Sequence, residues 1–430
     1  MKQIICILFL LVPFTLVGQV EYTDYFKKSA LRIDFVFGGT AENETIYLKQ
    51  LKEEPKWGGS GKYLITPMEY GGFKVVLKDQ VSGKTIYSRG FSTLFEEWQT
   101  TDEATETNKN FYHSIRTPYP KVKVTLQIMK RKYEDGEFYV LYERDINPDD
   151  YFILHENPIK VEVDTIYKGG DPARSVDLAF IAEGYTSAEM EKFNKDVRRM
   201  MEYLYENKPF GKYKDRFNVY AVHSISQETG TDVPGKDIYK NTALNSSYYT
   251  FDIPRYLTVK DSKEIRNYAA NVPYDHILIL INTRRYGGGG IYNHFTASTT
   301  DHLYSKQVTI HEFGHGFAGL GDEYYNSEVA YNDFYNLEVE PWKPNITTLV
   351  DFESKWNEMI GEDVPVPTPR KKEFNNTIGV FEGGGYMAKG IYSPYMDCRM
   401  KSNSAGGFCP VCQEAIERMI QYYIGEMEKK

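Results

Sequence analysis

Cysteine is scarce in this chain, four residues in 430, and one of them, Cys6, lies in the apolar leader. Cys398, Cys409 and Cys412 are an odd set, which excludes a scaffold built on several disulfides. The single C-x-x-C, Cys409 to Cys412, has no second copy and no thioredoxin-like surroundings. That argues against a zinc knuckle or redox centre, and the structural expectation is one disulfide from Cys398 to Cys409 or Cys412. Positive charge is also short: 51 Lys and Arg stand against 60 Asp and Glu, a net charge of -9. Nucleic acid and anionic membrane surfaces, which demand a basic face, are thereby excluded as primary partners. No segment after the leader is apolar enough to cross a membrane, and no internal repeat occurs.

What is present describes a folded, multidomain protein. Hydrophobic residues make up 41%, charged residues 26% and aromatics 15%, with 36 tyrosines, values that leave little room for disorder. The length exceeds what one hydrophobic core usually supports, so two or three domains are expected. "MKQIICILFLLVPFTLVGQ" places Lys2 ahead of a short apolar run, the pattern of a secretory signal peptide over residues 1–18 with Gly18 before the cleavage point. Export to the periplasm or beyond, without an integral membrane segment after cleavage, is the expectation.

Residues 19–160 have the texture of strands. Leu31, Ile33, Phe35 and Phe37 alternate, as do Val122, Val124, Leu126 and Ile128, and Asp135-Gly136 marks a hairpin. An antiparallel β-sandwich is the economical reading. From residue 161 to 430 the pattern becomes mixed. "SVDLAFIAEGY", "RFNVYAVHSI" and "DHILILINT" read as strands, and 186–204 reads as a helix opened by a Thr186 and Glu189 capping box. Residues 326–390 read as a long irregular excursion ahead of a final helix. The fold class expected is multidomain α+β, the sandwich followed by an α/β catalytic domain.

The chemistry is concentrated in "HEFGHGFAGLGDEYY", residues 311–325. Histidines four apart on a helix present both imidazoles on one face, at a separation that suits two ligands of one tetrahedral Zn²⁺. Glu312 projects beside them, positioned to take a proton from a metal-activated water rather than to bind the metal. A chance match in a solvated helix is disfavoured because Gly314, Gly316 and Gly319 each cost about 1 kcal/mol relative to alanine. Such a cost implies a packing or turning requirement.

This motif, with "FIAEGY", "NTRRYGGGGIYN" and "DCRMKSNSAGGFCPVC", resembles the immunoglobulin A peptidase family, metzincin-like zinc metallopeptidases with an N-terminal β-sandwich. The resemblance implies a secreted zinc endopeptidase acting on extracellular or host-type proteins. It also places Met400 in a turn beneath the metal and "GGGGI", with Gly289, Gly290 and Ile291, at the rim where extended peptide binds. Tyr395 is a candidate oxyanion donor.

No third histidine follows at the usual metzincin interval: Ala318 and Gly321 occupy the corresponding positions, with Gly319 and Asp322 each one place later. A left-handed turn at Gly319 would send the chain back under the metal, with Asp322 as the third zinc ligand beside His311 and His315. Side chains alternate in an extended segment, so Glu323 is expected to orient a histidine or brace the loop. His113, His155, His223, His276, His294 and His302 lack helical partners at metal spacing and read as structural or surface residues. The competing class is a non-catalytic surface module that binds protein or glycan, with a structural zinc site; Glu312 disfavours it, since such a site needs no general base. Composition leaves oligomeric state open.

Overall fold

The computed structural model describes residues 20–325 and 334–427. The leader, residues 1–18, and part of the irregular excursion, 326–333, lie outside the described residues. The N-terminal region is two antiparallel sheets face to face. Strands β1 (Phe26–Gly39), β2 (Glu44–Glu54), β3 (Phe73–Asp79), β4 (Thr85–Phe91), β5 (Lys109–Pro120), β6 (Val124–Arg131) and β7 (Phe138–Ile146) form sheets of order β2-β1-β5 and β4-β3-β6-β7. The alternating residues Leu31, Ile33, Phe35 and Phe37 meet Val124, Leu126 and Ile128 in the shared core, as a period of two requires. The hairpin between β6 and β7 turns through Gly136 at φ +74°.

On β1 the polar half of the alternation is buried too. Arg32 and Asp34 are fully covered and paired at 2.7 Å, and the Arg32 guanidinium donates to Asn267 Oδ1 at 2.7 Å in the second region. A face that a lone sandwich would show to water is therefore the contact with the C-terminal region.

That part contains β8 (Val163–Lys168), β9 (Val176–Glu183), α1 (Met190–Tyr205), β10 (Phe217–Val222), α2 (Ser262–Ala269), β11 (His276–Ile281), β12 (Gly288–Ile291), β13 (Phe295–Thr299) and α3 (Ser305–Ala318). A hairpin, β14 (Phe381–Gly384) and β15 (Met387–Ser393), and the last helix α4 (Pro410–Ile424) follow. The six-stranded sheet has the order β12-β13-β11-β9-β10-β8, parallel in its interior and antiparallel at both edges.

Strands β9 and β11 are buried at every position because helices cover both faces. Leu178, Phe180, Leu278 and Leu280 join α1, α3 and α4 in one core, whereas Ala179, Ile181, Ile277 and Ile279 join α2 in another. Helix α1 follows a one-turn lead-in whose Thr186 and Glu189 form the capping box, and it buries Phe193, Val197, Met200 and Leu204. The molecule is a multidomain α+β protein.

Candidate active site

Helix α3 carries the histidines, and its glycines explain themselves in the packing. A methyl group on Gly290 of β12 would stand 2.2 Å from the Glu312 carbonyl, one on Gly316 2.4 Å from Thr296 Oγ1, and one on Gly314 2.9 Å from Met400 Sδ. Edge strand, helix and the 398–402 turn thus approach closer than side chains allow. Gly319 ends the helix at φ +67°, with its N–H donating to the His315 carbonyl and that of Leu320 to the Gly314 carbonyl. This left-handed cap reverses the chain.

After the reversal Asp322 Oδ1 lies 3.1 Å from His311 Nε2 and 3.3 Å from His315 Nε2, and the two nitrogens are 3.0 Å apart. Three donors around a tetrahedral ion at about 2.0–2.1 Å stand about 3.3–3.4 Å apart, so the triangle is close to that size. Each imidazole is oriented by a backbone carbonyl: His311 Nδ1 contacts that of Arg399 at 3.0 Å and His315 Nδ1 that of Leu320 at 2.7 Å. Both Nε2 atoms are thereby aimed at the shared point. Asp322 Oδ1 is buried with no other hydrogen-bond partner, while Oδ2 accepts from the Tyr386 hydroxyl.

The three side chains are electrostatically coupled. Burial works against charge on His311, but contact with Asp322 and its charge outweigh it and raise the imidazole to about 9. Burial likewise opposes ionisation of Asp322, and the two imidazoles overcome it, holding the carboxyl well below the usual range. Two carboxylates reach the histidines. A Glu312 oxygen is within 4.8 Å of both rings, whereas Asp322 is closer, so Glu312 is left beside the triangle rather than in it. Partial burial lifts the Glu312 carboxyl above the ordinary range, with His311 and His315 opposing.

The model of the family described as IgA Peptidase M64 matches residues 165–377 and 370–420, more than half of the chain. The chain belongs to that family. The model described as Peptidase M64 N-terminus matches residues 21–142, which hold most of the sandwich. A search of curated proteins finds no match to the chain. As a member of a metallopeptidase family the chain is a peptide-bond hydrolase, and its substrates are proteins or peptides.

In this peptidase the histidines line a cavity of about 970 Å³ with walls from both regions. The catalytic part contributes Gly287–Gly290, Tyr256, Trp342 and Tyr386, and the sandwich contributes Glu96, Glu97 and Lys130. Glu97 accepts a hydrogen bond from Tyr256, and burial carries its carboxyl up to about 7. Gly289 and Gly290 line the cavity, while Ile291 is buried in the core under β12. The edge of β12 is partly taken: the Gly288 carbonyl accepts from the Leu257 N–H at 3.2 Å.

Met400 is fully buried beneath α3, whereas Met396 lies beside Arg370. Tyr395 does not line the cavity; Tyr256, Tyr324 and Tyr386 do, with Tyr324 stacked on His311. Among 36 tyrosines nothing local distinguishes these. Glu323 touches no histidine. Its N–H donates to the Met400 carbonyl, and its carboxylate meets Asn345 and Cys412.

The disulfide expected at Cys398 is absent: all three cysteines are free, and Cys398 Sγ and Cys412 Sγ are 3.8 Å apart, well beyond an S–S bond. The rings of His113 and His294 lie 4.3 Å apart at a 46° tilt in the interior, and His276 Nε2 hydrogen-bonds to the Thr296 hydroxyl. His223 sits with Glu162 and Asp164 away from the cavity.

Proposed function

We propose that the chain is a secreted zinc-dependent endopeptidase in which His311, His315 and Asp322 hold Zn²⁺ and Glu312 is the general base. The observation that carries this reading is the triangle of Nε2, Nε2 and Oδ1 at 3.0–3.3 Å on the floor of a cleft, with Glu312 beside it. Two imidazoles and one carboxylate are a catalytic zinc donor set, with a position left for water or substrate. When bound, the metal lowers the pKa of a water and polarises the scissile carbonyl. Glu312 accepts that water's proton on its carboxylate and passes it to the leaving amine; its lifted pKa suits both halves of the transfer. The Arg399 and Leu320 carbonyls hold the imidazole tautomers, and Tyr386 holds the second oxygen of Asp322.

The substrate in this reading is an extended stretch of an extracellular or host-type protein laid along Gly289 and Gly290. The sandwich wall, with Glu96 and Glu97, meets its side chains. Domain limits of 19–160 and 161–430, a signal peptide at 1–18 and export complete the proposal; among the described residues no helix is long and apolar enough to cross a membrane.

Glu312→Gln tests the mechanism. It is expected to retain zinc and fold and to lower kcat on a protein substrate by about 10²–10⁴-fold. Activity within tenfold of the parent would remove Glu312 from the reaction, and loss of the zinc held at the histidines in a His311→Ala variant is the companion expectation for the metal.

A further inference from the structure

Behind the segment that carries Asp322, four donor atoms converge in a pocket the catalytic reading does not use. Glu323, Cys398, Cys409 and Cys412 each offer one, all within 4.8 Å of one another. Glu323, Cys398 and Cys412 are fully buried and Cys409 is 3% exposed. The four come from three separate pieces of chain. Glu323 follows the α3 reversal, Cys398 opens the turn containing Met400, and Cys409 caps α4 with Cys412 in its first turn.

The spacing distinguishes a metal site from a disulfide. Cys398 Sγ and Cys412 Sγ are 3.8 Å apart. Two thiolates on one tetrahedral Zn²⁺, each at about 2.3 Å, stand about 3.8 Å apart, whereas a disulfide brings them to about 2.05 Å. Cys412 Sγ is 3.1 Å from Glu323 Oε1, and the Cys409 N–H donates to Cys398 Sγ at 3.2 Å, the kind of contact that supports a thiolate ligand.

A second observation is independent of the sulfurs. Asn345 and Cys412 meet Oε1 of Glu323, but Oε2 is buried without a hydrogen-bond partner. A buried carboxylate oxygen left in this way carries a large desolvation cost that a cation removes.

We infer that Glu323, Cys398, Cys409 and Cys412 form a second metal site, a closed thiolate-rich site for Zn²⁺ distinct from the histidine site. With four protein donors it has no open position and is structural rather than catalytic. It ties the Asp322 segment, the Met400 turn and α4 to one point. The Glu323 N–H to Met400 carbonyl bond at 2.9 Å then fixes the floor under the catalytic histidines.

The test uses the full-length exported chain carrying His311→Ala and His315→Ala, which removes the catalytic donors and leaves the cysteine pocket. Zinc content is expected to fall from about two equivalents per chain in the parent to about one. The variant loaded with Co²⁺ is expected to show thiolate-to-cobalt charge transfer in the near ultraviolet, a band that histidine and carboxylate donors do not give. All three thiols should become alkylatable only after denaturation with a chelator. Failure of the catalytic reading would lower the parent's count without touching the cobalt band. The inference is overturned if the double-histidine variant keeps no zinc, if cobalt gives no such band, or if peptide mapping joins Cys398 to Cys409 or Cys412.

Discussion

Asp322 faces two imidazoles on the floor of an open cleft, whereas Glu323, the next residue, faces three thiols in a closed pocket behind it. The two side chains carry the same functional group and leave neighbouring backbone positions toward different partners. What separates them is what each side can admit. The cleft side has room for a substrate and for Glu312, the proposed general base, and the histidines hold its acid toward the ionised form. The pocket side is sealed by α4 and the Met400 turn, and burial drives the Glu323 carboxyl well above its ordinary range. Adjacent acids thus acquire opposite ionisation tendencies from their surroundings.

The sharpest way to break this comparison is to exchange the losses. Asp322→Ala is expected to strip the metal and nearly all peptidase activity from the histidine site, costing more than the roughly 10- to 100-fold associated with a supporting group. Glu323→Ala is expected to leave metal at the histidines while loosening the cysteine pocket. Metal analysis of the two purified variants decides it: if Glu323→Ala empties the histidine site and Asp322→Ala does not, the assignment of sides is reversed.

A smaller effect is expected from Tyr386→Phe, which deletes the hydroxyl held by Asp322 Oδ2. A loss of about 10- to 100-fold in metal affinity or activity should follow, with the cysteine pocket unaffected. A chelator competition series on variant and parent measures it, and equal affinities would make the contact incidental.

Gly290→Ala probes the close approach of β12 to α3, where the new methyl would meet the Glu312 carbonyl. Overpacking of this kind costs about 1–3 kcal/mol. Denaturant titration should show it, and an unchanged midpoint would mean the strand shifts freely.

The smallest expected effect lies on the sandwich wall of the cleft. The Glu97 carboxyl is raised in the fold to about 7, chiefly by burial, so the folded state holds its proton to higher pH than the unfolded chain does. Stability from this group is present below the unfolded pKa and is lost as pH rises from about 4.5 through about 7. Glu97→Gln removes that loss. Because the side chain lines a partly open cleft, the gain at pH 8 is expected to be about 1 kcal/mol or less, vanishing near pH 4. Thermal unfolding at both pH values would show a pH-independent difference if the group were not responsible.

Much of this architecture was legible in the chain. The alternation of Leu31, Ile33, Phe35 and Phe37, the continuous apolar runs of β9 and β11, and the Thr186 and Glu189 box are local patterns, and each appears as the element its period implies. The i, i+4 histidines needed only helix geometry to share a face, and Gly319 needed only its own backbone freedom to cap α3. Such features depend on neighbours within a turn of helix or a pair of strand residues.

The rest was decided by contacts between distant segments, where the partner is chosen by packing and not by spacing. Arg32 and Asp34 are buried because α2 covers a sandwich face that alternation alone assigns to water. Tyr386 reaches Asp322 across 64 residues, and Cys412 reaches Glu323 across 89. The sequence by itself determined which side chains stand together along each helix and strand. Asp322 at the histidines could be read from the interval after Gly319, but only the tertiary structure decided that the thiols meet Glu323, that Tyr386 meets Asp322, and that the sandwich closes one wall of the cleft, since burial and desolvation exist only once the segments have packed.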